Sequence, residues 1–162
     1  MLLRRAELSD LEFIVDVYNS TIPSRMVTAD TSPVTAEEKS AWFHSHSESY
    51  PLWIINSGET PAGWASIRQF YGRVAYKNSV EISIYIDEKW RGHGLGRKVL
   101  RQSIINCREL GHHTLLGFIF LHNQPSIRLF KNCGFEQWGL LPALAEMDNV
   151  FYDLAILGLK LR

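Results

Sequence analysis

The sequence has few cysteines, no excess of charge of either sign and no long apolar run. Its 162 residues contain two cysteines, Cys107 and Cys133, without the spacing of a metal site or of a disulfide framework. Seventeen basic side chains balance seventeen acidic ones, so no overall field attracts nucleic acid or an anionic membrane. No apolar run approaches the roughly eighteen residues of a membrane-spanning helix, and no signal-peptide pattern opens the chain. We therefore expect one soluble, cytoplasmic domain, residues 1–162, with no metal and with neither nucleic acid nor membrane as a partner.

Apolar periodicity divides the chain into strands and helices. A helix to about Ser20 follows an opening strand at 2–7, and a second helix begins with the capping box Thr35-Ala36-Glu37-Glu38 and runs to about Ser47. Further strands are predicted at 53–56, 63–70, 79–86, 114–120, 135–141 and 150–159, and further helices at 97–110 and 125–132. The order predicts an α/β fold with a mixed sheet.

Glycines are concentrated in one segment, where residues 91–96 read Arg-Gly-His-Gly-Leu-Gly between an alternating strand and a helix. Such a loop can turn tightly and direct backbone N–H groups at an anion, and the following helix adds the positive end of its dipole. The Walker A pattern is excluded because no Gly-Lys-Ser/Thr ends the loop, and the dinucleotide fingerprint is excluded by the glycine spacing. The alternatives that remain are a phosphate-binding loop and a glycine-rich turn without a ligand.

The pattern Arg-x-x-Gly-x-Gly between strand and helix resembles the acetyl-CoA pyrophosphate loop of the GNAT superfamily of N-acetyltransferases. Other segments are similar to one branch of that superfamily, the phosphinothricin and methionine sulfoximine/sulfone acetyltransferases. These segments are Val17-Tyr18-Asn19, Asp30-Thr31-Ser32-Pro33-Val34-Thr35, Trp42-Phe43, Ala75-Tyr76-Lys77-Asn78-Ser79-Val80-Glu81, Asn123-Gln124-Pro125-Ser126 and Cys133-Gly134-Phe135. The resemblance implies a mixed central sheet of about seven strands flanked by about four helices. It also implies acetyl-CoA as co-substrate.

The resemblance assigns cofactor contacts to three parts of the chain. Backbone at Ile84, Tyr85 and Ile86 is expected to meet the pantetheine arm. The diphosphate is expected at the 91–96 loop, on the N–H groups of Gly92, Gly94, Leu95 and Gly96, with positive charge from Arg91 and Arg97. His93 is assigned to the same cofactor loop, and the side chains of His93 and Leu95 are expected to be incidental. Asn123 and Ser126 are expected to cap the following helix, to contact the pantetheine amides, or to do both. Lys131 either reaches the nucleotide phosphates or is a surface lysine.

Glu81 is the candidate general base. In an alternating strand Glu81, Ser83 and Tyr85 share one face. A carboxylate there can remove the proton of an ammonium group, directly or through water, if burial raises its pKa toward the working pH. The alternative is a solvated or ion-paired glutamate.

The resemblance places the acceptor near the loop before the strand that holds Glu81. We expect contacts from Arg73, Tyr76, Lys77 and Ser79, with Arg73 or Lys77 pairing with a substrate carboxylate. The sequence departs from the family at Phe130, where many members have a tyrosine proposed to protonate the departing thiolate.

We therefore expect an acetyl-CoA-dependent N-acetyltransferase that acts on the α-amine of a small amino acid or an analogue such as methionine sulfone, methionine sulfoximine or phosphinothricin. Direct attack in a ternary complex follows, since neither cysteine lies where an acyl carrier is needed. Alternatives are transfer to a polyamine, aminoglycoside or protein amine, and an acyl-CoA sensor without catalysis, which Phe130 keeps open. A homodimer is expected from the family, with a surface rich in Trp42, Phe43, Trp90 and Trp138.

Overall fold

The computed structural model describes residues 1–162 and contains seven strands and four α-helices, as the sequence predicted. The strands are β1 (Leu3–Arg5), β2 (Leu52–Ser57), β3 (Thr60–Gln69), β4 (Ser79–Ile86), β5 (Thr114–Phe120), β6 (Glu136–Met147) and β7 (Val150–Lys160). The helices are α1 (Leu11–Thr21), α2 (Ala36–His44), α3 (Leu95–Glu109) and α4 (Gln124–Lys131). The capping box at Thr35 and Glu38 is present at the start of α2.

The strands form one sheet in the order β1-β2-β3-β4-β5-β7-β6, and only the β4–β5 pair is parallel. These two strands pair only from Ser79↔Thr114 to Glu81↔Leu116, although they continue to Ile86 and Phe120. Beyond Glu81 the strands diverge, so the facing backbone edges can bond to something inserted between them.

The sheet has a hydrophobic core on each face. Val80 and Ile82 of β4 pack in a core with Val99 and Leu100 of α3. The opposite face carries a smaller core built on α1 and α2, in which Trp64 of β3 contacts Ile14 and Val17. Alternation along β4 therefore directs its odd-numbered side chains toward α1 and α2, which confirms the predicted face of Glu81, Ser83 and Tyr85.

Side-chain hydrogen bonds fix the loop between α1 and α2. The Tyr18 hydroxyl bonds to Thr28 Oγ1 at 2.6 Å and also to the carboxylate of Asp30. Asn19 donates to the Val34 carbonyl at 2.8 Å and accepts from its N–H at 2.9 Å. The loop is thus held against the end of α1.

Three of the four aromatic residues expected on the dimer surface are half-buried. Trp42 and Phe43 pack against the core under α1 and α2 because α2 turns that side inward. Trp90 is half-buried, and Trp138 is 43% exposed. A group of exposed apolar side chains lies along the β6–β7 hairpin, at Leu140, Leu141, Leu144, Val150 and Phe151.

None of the helices has the length and apolar character needed to cross a membrane. No group of three or more His, Cys, Asp or Glu side chains is arranged to hold a metal ion.

Candidate active site

The glycine loop is shaped by two residues with positive φ. Gly92 has φ +79° and Gly94 has φ +76°, in the left-handed region that favours glycine. Helix α3 begins directly after Gly94, so the first N–H groups of a 15-residue helix open from the loop without partners inside the helix. The loop therefore presents donors and the positive end of the α3 dipole at one place.

A cavity of about 740 Å³, the loop cavity, lies against this segment. Its lining is Ile86, Trp90, Arg91, Gly92, Gly94, Leu95, Gly96, Arg97, Lys98, Arg101, Pro125, Ser126 and Leu129. Four of these side chains are basic and none is acidic, so the cavity suits a polyanion. Arg91 Nε donates to the Ile86 carbonyl at 2.8 Å, which holds its guanidinium at the end of β4. His93 and Lys131 are exposed and lie outside the lining.

A second cavity of about 390 Å³, the gap cavity, occupies the space where β4 and β5 diverge. Ser83, Ile84, Tyr85 and Ile86 line one side and Phe118 to Phe120 the other. It shares Ile86, Arg91, Gly96, Pro125, Ser126 and Leu129 with the loop cavity, so the two spaces adjoin. An elongated ligand with a charged end can occupy both.

Gly117 of β5 makes room for the Phe130 ring beside the gap cavity. A Cβ at Gly117 would lie 2.6 Å from Phe130 Cε1, closer than atoms can approach. Phe130 itself is 6% exposed and packs on Phe135. Its ring has no proton to donate.

Asn123 caps α4 and attaches it to the loop before α2. Its Oδ1 accepts from Ser126 N at 3.3 Å, and its Nδ2 donates to the Met26 carbonyl at 3.1 Å. The capping role expected for Asn123 is confirmed. Ser126 lines both the loop cavity and the gap cavity.

Glu81 lies in a smaller space of about 160 Å³, the Glu81 cavity, under α1 and α2. Its other polar lining residues include Ser66, Arg68 and Ser83. Burial raises the pKa of the Glu81 carboxyl because the charged form loses hydration, and the charge of Arg68 partly offsets this. Arg68 is directly opposite Glu81 in the β3–β4 register.

Ser83 and Tyr85 line both the gap cavity and the Glu81 cavity. The Tyr85 ring stacks on Trp64 with centroids 4.3 Å apart, and burial raises the pKa of Tyr85. Burial also raises the pKa of Tyr18, to about 12, so both phenols stay protonated at neutral pH. The carboxylate and the gap between β4 and β5 are therefore linked through hydroxyl-bearing side chains.

The predicted acceptor residues belong to the loop before β4 and to the first residue of that strand. Arg73, Tyr76 and Lys77 are exposed, and Ser79 is half-buried at the start of β4. None of the four lines the loop, gap or Glu81 cavity.

Sequence reasoning missed Arg68, Ser66 and Lys39, which do line the Glu81 cavity. Strand alternation in 63–70 was a signal for Ser66 and Arg68, but it does not give their register against Glu81. Lys39 Nζ lies 4.8 Å from the centroid of the Tyr18 ring, a cation–π contact between α2 and α1 that depends on how the helices pack.

Comparison with known proteins gives one family over most of the chain. Residues 14–135 match the sequence model of the acetyltransferase (GNAT) family. YwnH of Bacillus subtilis, named as a putative phosphinothricin acetyltransferase, is 51% identical over 99% of this chain and 99% of its own. The L-methionine sulfoximine/L-methionine sulfone acetyltransferase of Pseudomonas aeruginosa is 29% identical over 98% of this chain and 94% of its own.

A solved structure has the same fold with a bound ligand. The phosphinothricin acetyltransferase of Sinorhizobium meliloti, in complex with acetyl-CoA, superposes with a TM-score of 0.91 at 28% identity. The alignment covers 98% of this chain and 86% of the other. The predicted fold class is thereby confirmed.

Proposed function

The chain belongs to the acetyltransferase (GNAT) family, and from this premise we propose that it transfers the acetyl group of acetyl-CoA to the α-amine of a small amino acid or analogue. Methionine sulfone, methionine sulfoximine and phosphinothricin are the first candidates, since relatives are named for these compounds. The observation that carries the proposal is the adjoining pair of loop and gap cavities, which meets the Glu81 cavity at Ser83 and Tyr85. We also propose a cytoplasmic homodimer.

Acetyl-CoA supplies an activated acetyl group and a thiol leaving group. Backbone N–H groups of Gly92, Gly94, Leu95 and Gly96 would donate to the diphosphate, with Arg91 and Arg97 adding positive charge. The unpaired edge of β4 at Ile84 to Ile86 would hydrogen-bond the pantetheine arm as a neighbouring strand does. Ser126 has access to both parts of the ligand, and Lys131 would reach the nucleotide phosphates from the end of α4.

Glu81 would receive the proton of the incoming ammonium group, so that a neutral amine attacks the thioester. A pKa raised by burial brings the carboxylate closer to the working pH. The donor and the amine react directly, because neither cysteine lines the loop, gap or Glu81 cavity. Burial also raises the pKa of the Cys107 thiol to about 12, which suppresses its thiolate.

The loop before β4 would contact the acceptor through Arg73, Tyr76, Lys77 and Ser79. Gln69 donates to the Arg73 carbonyl at 2.9 Å, and the Tyr50 hydroxyl donates to the Lys77 carbonyl at 3.0 Å. These bonds fix the backbone of the loop and leave the two cationic side chains free to pair with a carboxylate. A matched pair of variants, Arg73→Gln and Lys77→Gln, should raise KM for the amino acid and leave KM for acetyl-CoA unchanged.

The direct test is thiol release from acetyl-CoA in the presence of a panel of L-amino acids, the three candidate analogues, spermidine and an aminoglycoside. Mass spectrometry of the product identifies the acetylated amine. Acceleration by an amino acid or analogue, with a mass gain of one acetyl group, is the expected result. Acceleration by spermidine or the aminoglycoside alone would overturn the amino-acid proposal, and binding of acetyl-CoA without transfer to any amine would indicate a sensor.

A further inference from the structure

Three pairs of opposite residues connect the end of β4 with Glu81 on the face toward α1 and α2. The register pairs Trp64 with Tyr85, Ser66 with Ser83, and Arg68 with Glu81. Side chains directly opposite each other in antiparallel strands lie on the same face and in contact range. The two serines therefore stand between Tyr85 at the gap cavity and the Glu81 carboxylate.

Ser66 is 2% exposed, and its hydroxyl has one protein partner, the half-buried His46. His46 Nδ1 lies 3.0 Å from the Trp42 carbonyl and 3.2 Å from the Phe43 carbonyl. A carbonyl oxygen only accepts, so Nδ1 carries the imidazole proton. Nε2 is therefore the acceptor, and Ser66 Oγ donates to it at 2.8 Å.

The surroundings of His46 allow it to accept a proton at neutral pH. Burial lowers its pKa, and Arg68 and Arg5 act in the same direction, so the imidazole is neutral. The two carbonyls that bind Nδ1–H belong to the end of α2, where the helix dipole favours a positive charge. The imidazolium form of His46 is therefore short-lived. While it exists, its Nδ1–H stays hydrogen-bonded to the Trp42 and Phe43 carbonyls.

His46 also lines an outer cavity of about 520 Å³ together with Glu81, Arg68 and Tyr50. Glu81 and Arg68 line the Glu81 cavity as well, so both cavities meet at these two side chains. The charged and titratable groups facing His46 are Arg5 of β1, Arg68 of β3, Glu81 of β4, Tyr50 before β2 and Tyr71 after β3. The outer cavity gives this cluster a route to solvent.

On the basis of the proposed function, we propose that Ser66 and His46 form a proton relay for the Glu81 cavity. The proton that Glu81 receives from the ammonium group passes to water in that cavity, which has room for several molecules. A cavity water gives a proton to Ser66 Oγ while the Ser66 O–H proton moves to His46 Nε2. Only O–H and N–H bonds break and form. The imidazolium returns the proton through Ser66 Oγ to cavity water, from which it reaches solvent where the Glu81 cavity meets the outer cavity at Glu81 and Arg68. His46 acts through Ser66 and is therefore a positioning residue.

Three variants test the relay by steady-state kinetics between pH 5 and 9. His46→Gln retains an amide donor and acceptor but does not titrate, Ser66→Ala removes the connecting hydroxyl, and Ser66→Thr restores it. We expect the first two to lower kcat at pH 7 by about tenfold, less than the roughly 100-fold or more for loss of a general base, because the relay acts after Glu81 has taken the proton. KM for acetyl-CoA should stay within twofold of the value for the unaltered protein. One ionisation should disappear from the acid side of the plot of kcat against pH. Ser66→Thr should recover at least half of kcat.

His44→Gln is the matched control, since His44 is exposed at the end of the same helix. It should leave both the rate and the pH profile unchanged. If His46→Gln does not fold, Ser66→Ala decides the result alone, because it keeps the imidazole in place.

A nitrogen-detected NMR titration supplies a readout that does not depend on turnover. Neutral His46 should carry its proton on Nδ1, and Glu81→Gln should lower its pKa by removing a nearby negative charge. Normal rates with an unchanged acid limb in both His46→Gln and Ser66→Ala would overturn the relay alone, as would a proton on Nε2. Absence of transfer by the unaltered protein to any amine would overturn the proposed function, and the relay with it.

Discussion

The Glu81 side chain is half-buried, and the exposed guanidinium of Arg68 across the strand only partly replaces its lost hydration. Its folded-state pKa is raised, so the folded protein binds this proton more tightly than the unfolded chain does. Below the unfolded value of about 4.5 both states are protonated and the group contributes nothing to the pH dependence. As pH rises through the folded pKa, the charged carboxylate increasingly destabilises the fold.

Glu81→Gln should therefore have opposite effects on activity and on stability. We expect kcat to fall about 100-fold or more, the lower range for loss of a general base, with KM for acetyl-CoA nearly unchanged. The melting temperature at pH 8 should rise, and this gain should vanish at about pH 4. Glu136→Gln, at an exposed strand position, should change neither quantity. An unaltered kcat for Glu81→Gln would contradict its assignment as the base.

The two cysteines should differ in reactivity. Cys107 is fully buried and its pKa is raised to about 12, whereas Cys133 is half-buried at the end of α4. A thiol with a pKa near 12 has about one part in ten thousand as thiolate at pH 8. Titration with a chromogenic disulfide should give one reactive thiol in the folded protein and two in denaturant. Cys133→Ser should remove the reaction of the folded protein, and persistence of that reaction would contradict the prediction.

At the residue scale, the positions of candidate residues were predictable where a local pattern decides them. Alternation along one strand gave the face of Glu81, and glycine spacing gave the loop at 91–96. Arg68 and Ser66 were missed because their positions depend on the register of β3 against β4. His46 was missed because its role depends on where the end of α2 packs. Long-range placement of this kind has no local signal.

At the scale of elements, the glycine loop depends on backbone conformation more than on side chains. Gly94 has φ +76° with no atom within 4 Å of the point where a Cβ would lie, and Gly58 in the β2–β3 turn has φ +65° with equal space. Gly94→Ala and Gly58→Ala should each destabilise the fold by roughly 1 kcal/mol, the cost of a left-handed alanine. Only Gly94→Ala should raise KM for acetyl-CoA, because it alone alters the diphosphate site.

Denaturant unfolding and acetyl-CoA kinetics of both variants check this prediction. Equal KM values for the two variants would mean that the loop conformation does not determine cofactor binding.

Most predicted element boundaries lie within two residues of the observed ones, but β3 begins earlier, at Thr60, α2 ends earlier, at His44, and β6 differs most. This strand extends to Met147, beyond the predicted end at Leu141, across register shifts at Gln137/Gly139 and Leu141/Ala145. Ala143 within it has φ +50°, which interrupts the alternation of faces. Periodicity cannot follow a strand through such irregularities, because each one exchanges the inward and outward positions.

At the scale of the whole molecule, the β6–β7 hairpin exposes the apolar surface that a homodimer would bury. Leu144 and Leu8 are each 58% exposed, but only Leu144 lies on the hairpin beside Phe151 and Val150. We expect light scattering to give a dimer mass, Leu144→Glu to shift it toward the monomer, and Leu8→Glu to have no effect. Dimer mass in the Leu144→Glu variant would place the interface elsewhere, and a monomer mass for the unaltered protein would exclude the dimer.

The short parallel junction between β4 and β5 makes the sheet two antiparallel sheets, β1 to β4 and β5 to β7, joined at three residue pairs. A bound pantetheine arm would extend that junction by serving as the strand that the fold leaves out between them. The hydrogen-bonded connection between the two halves would then extend beyond Glu81 only while the enzyme holds its donor. Each release of CoA would weaken the connection between the two halves of the sheet. Amide hydrogen exchange at Ile84 to Ile86 should therefore be faster in the free protein than in the complex with its donor.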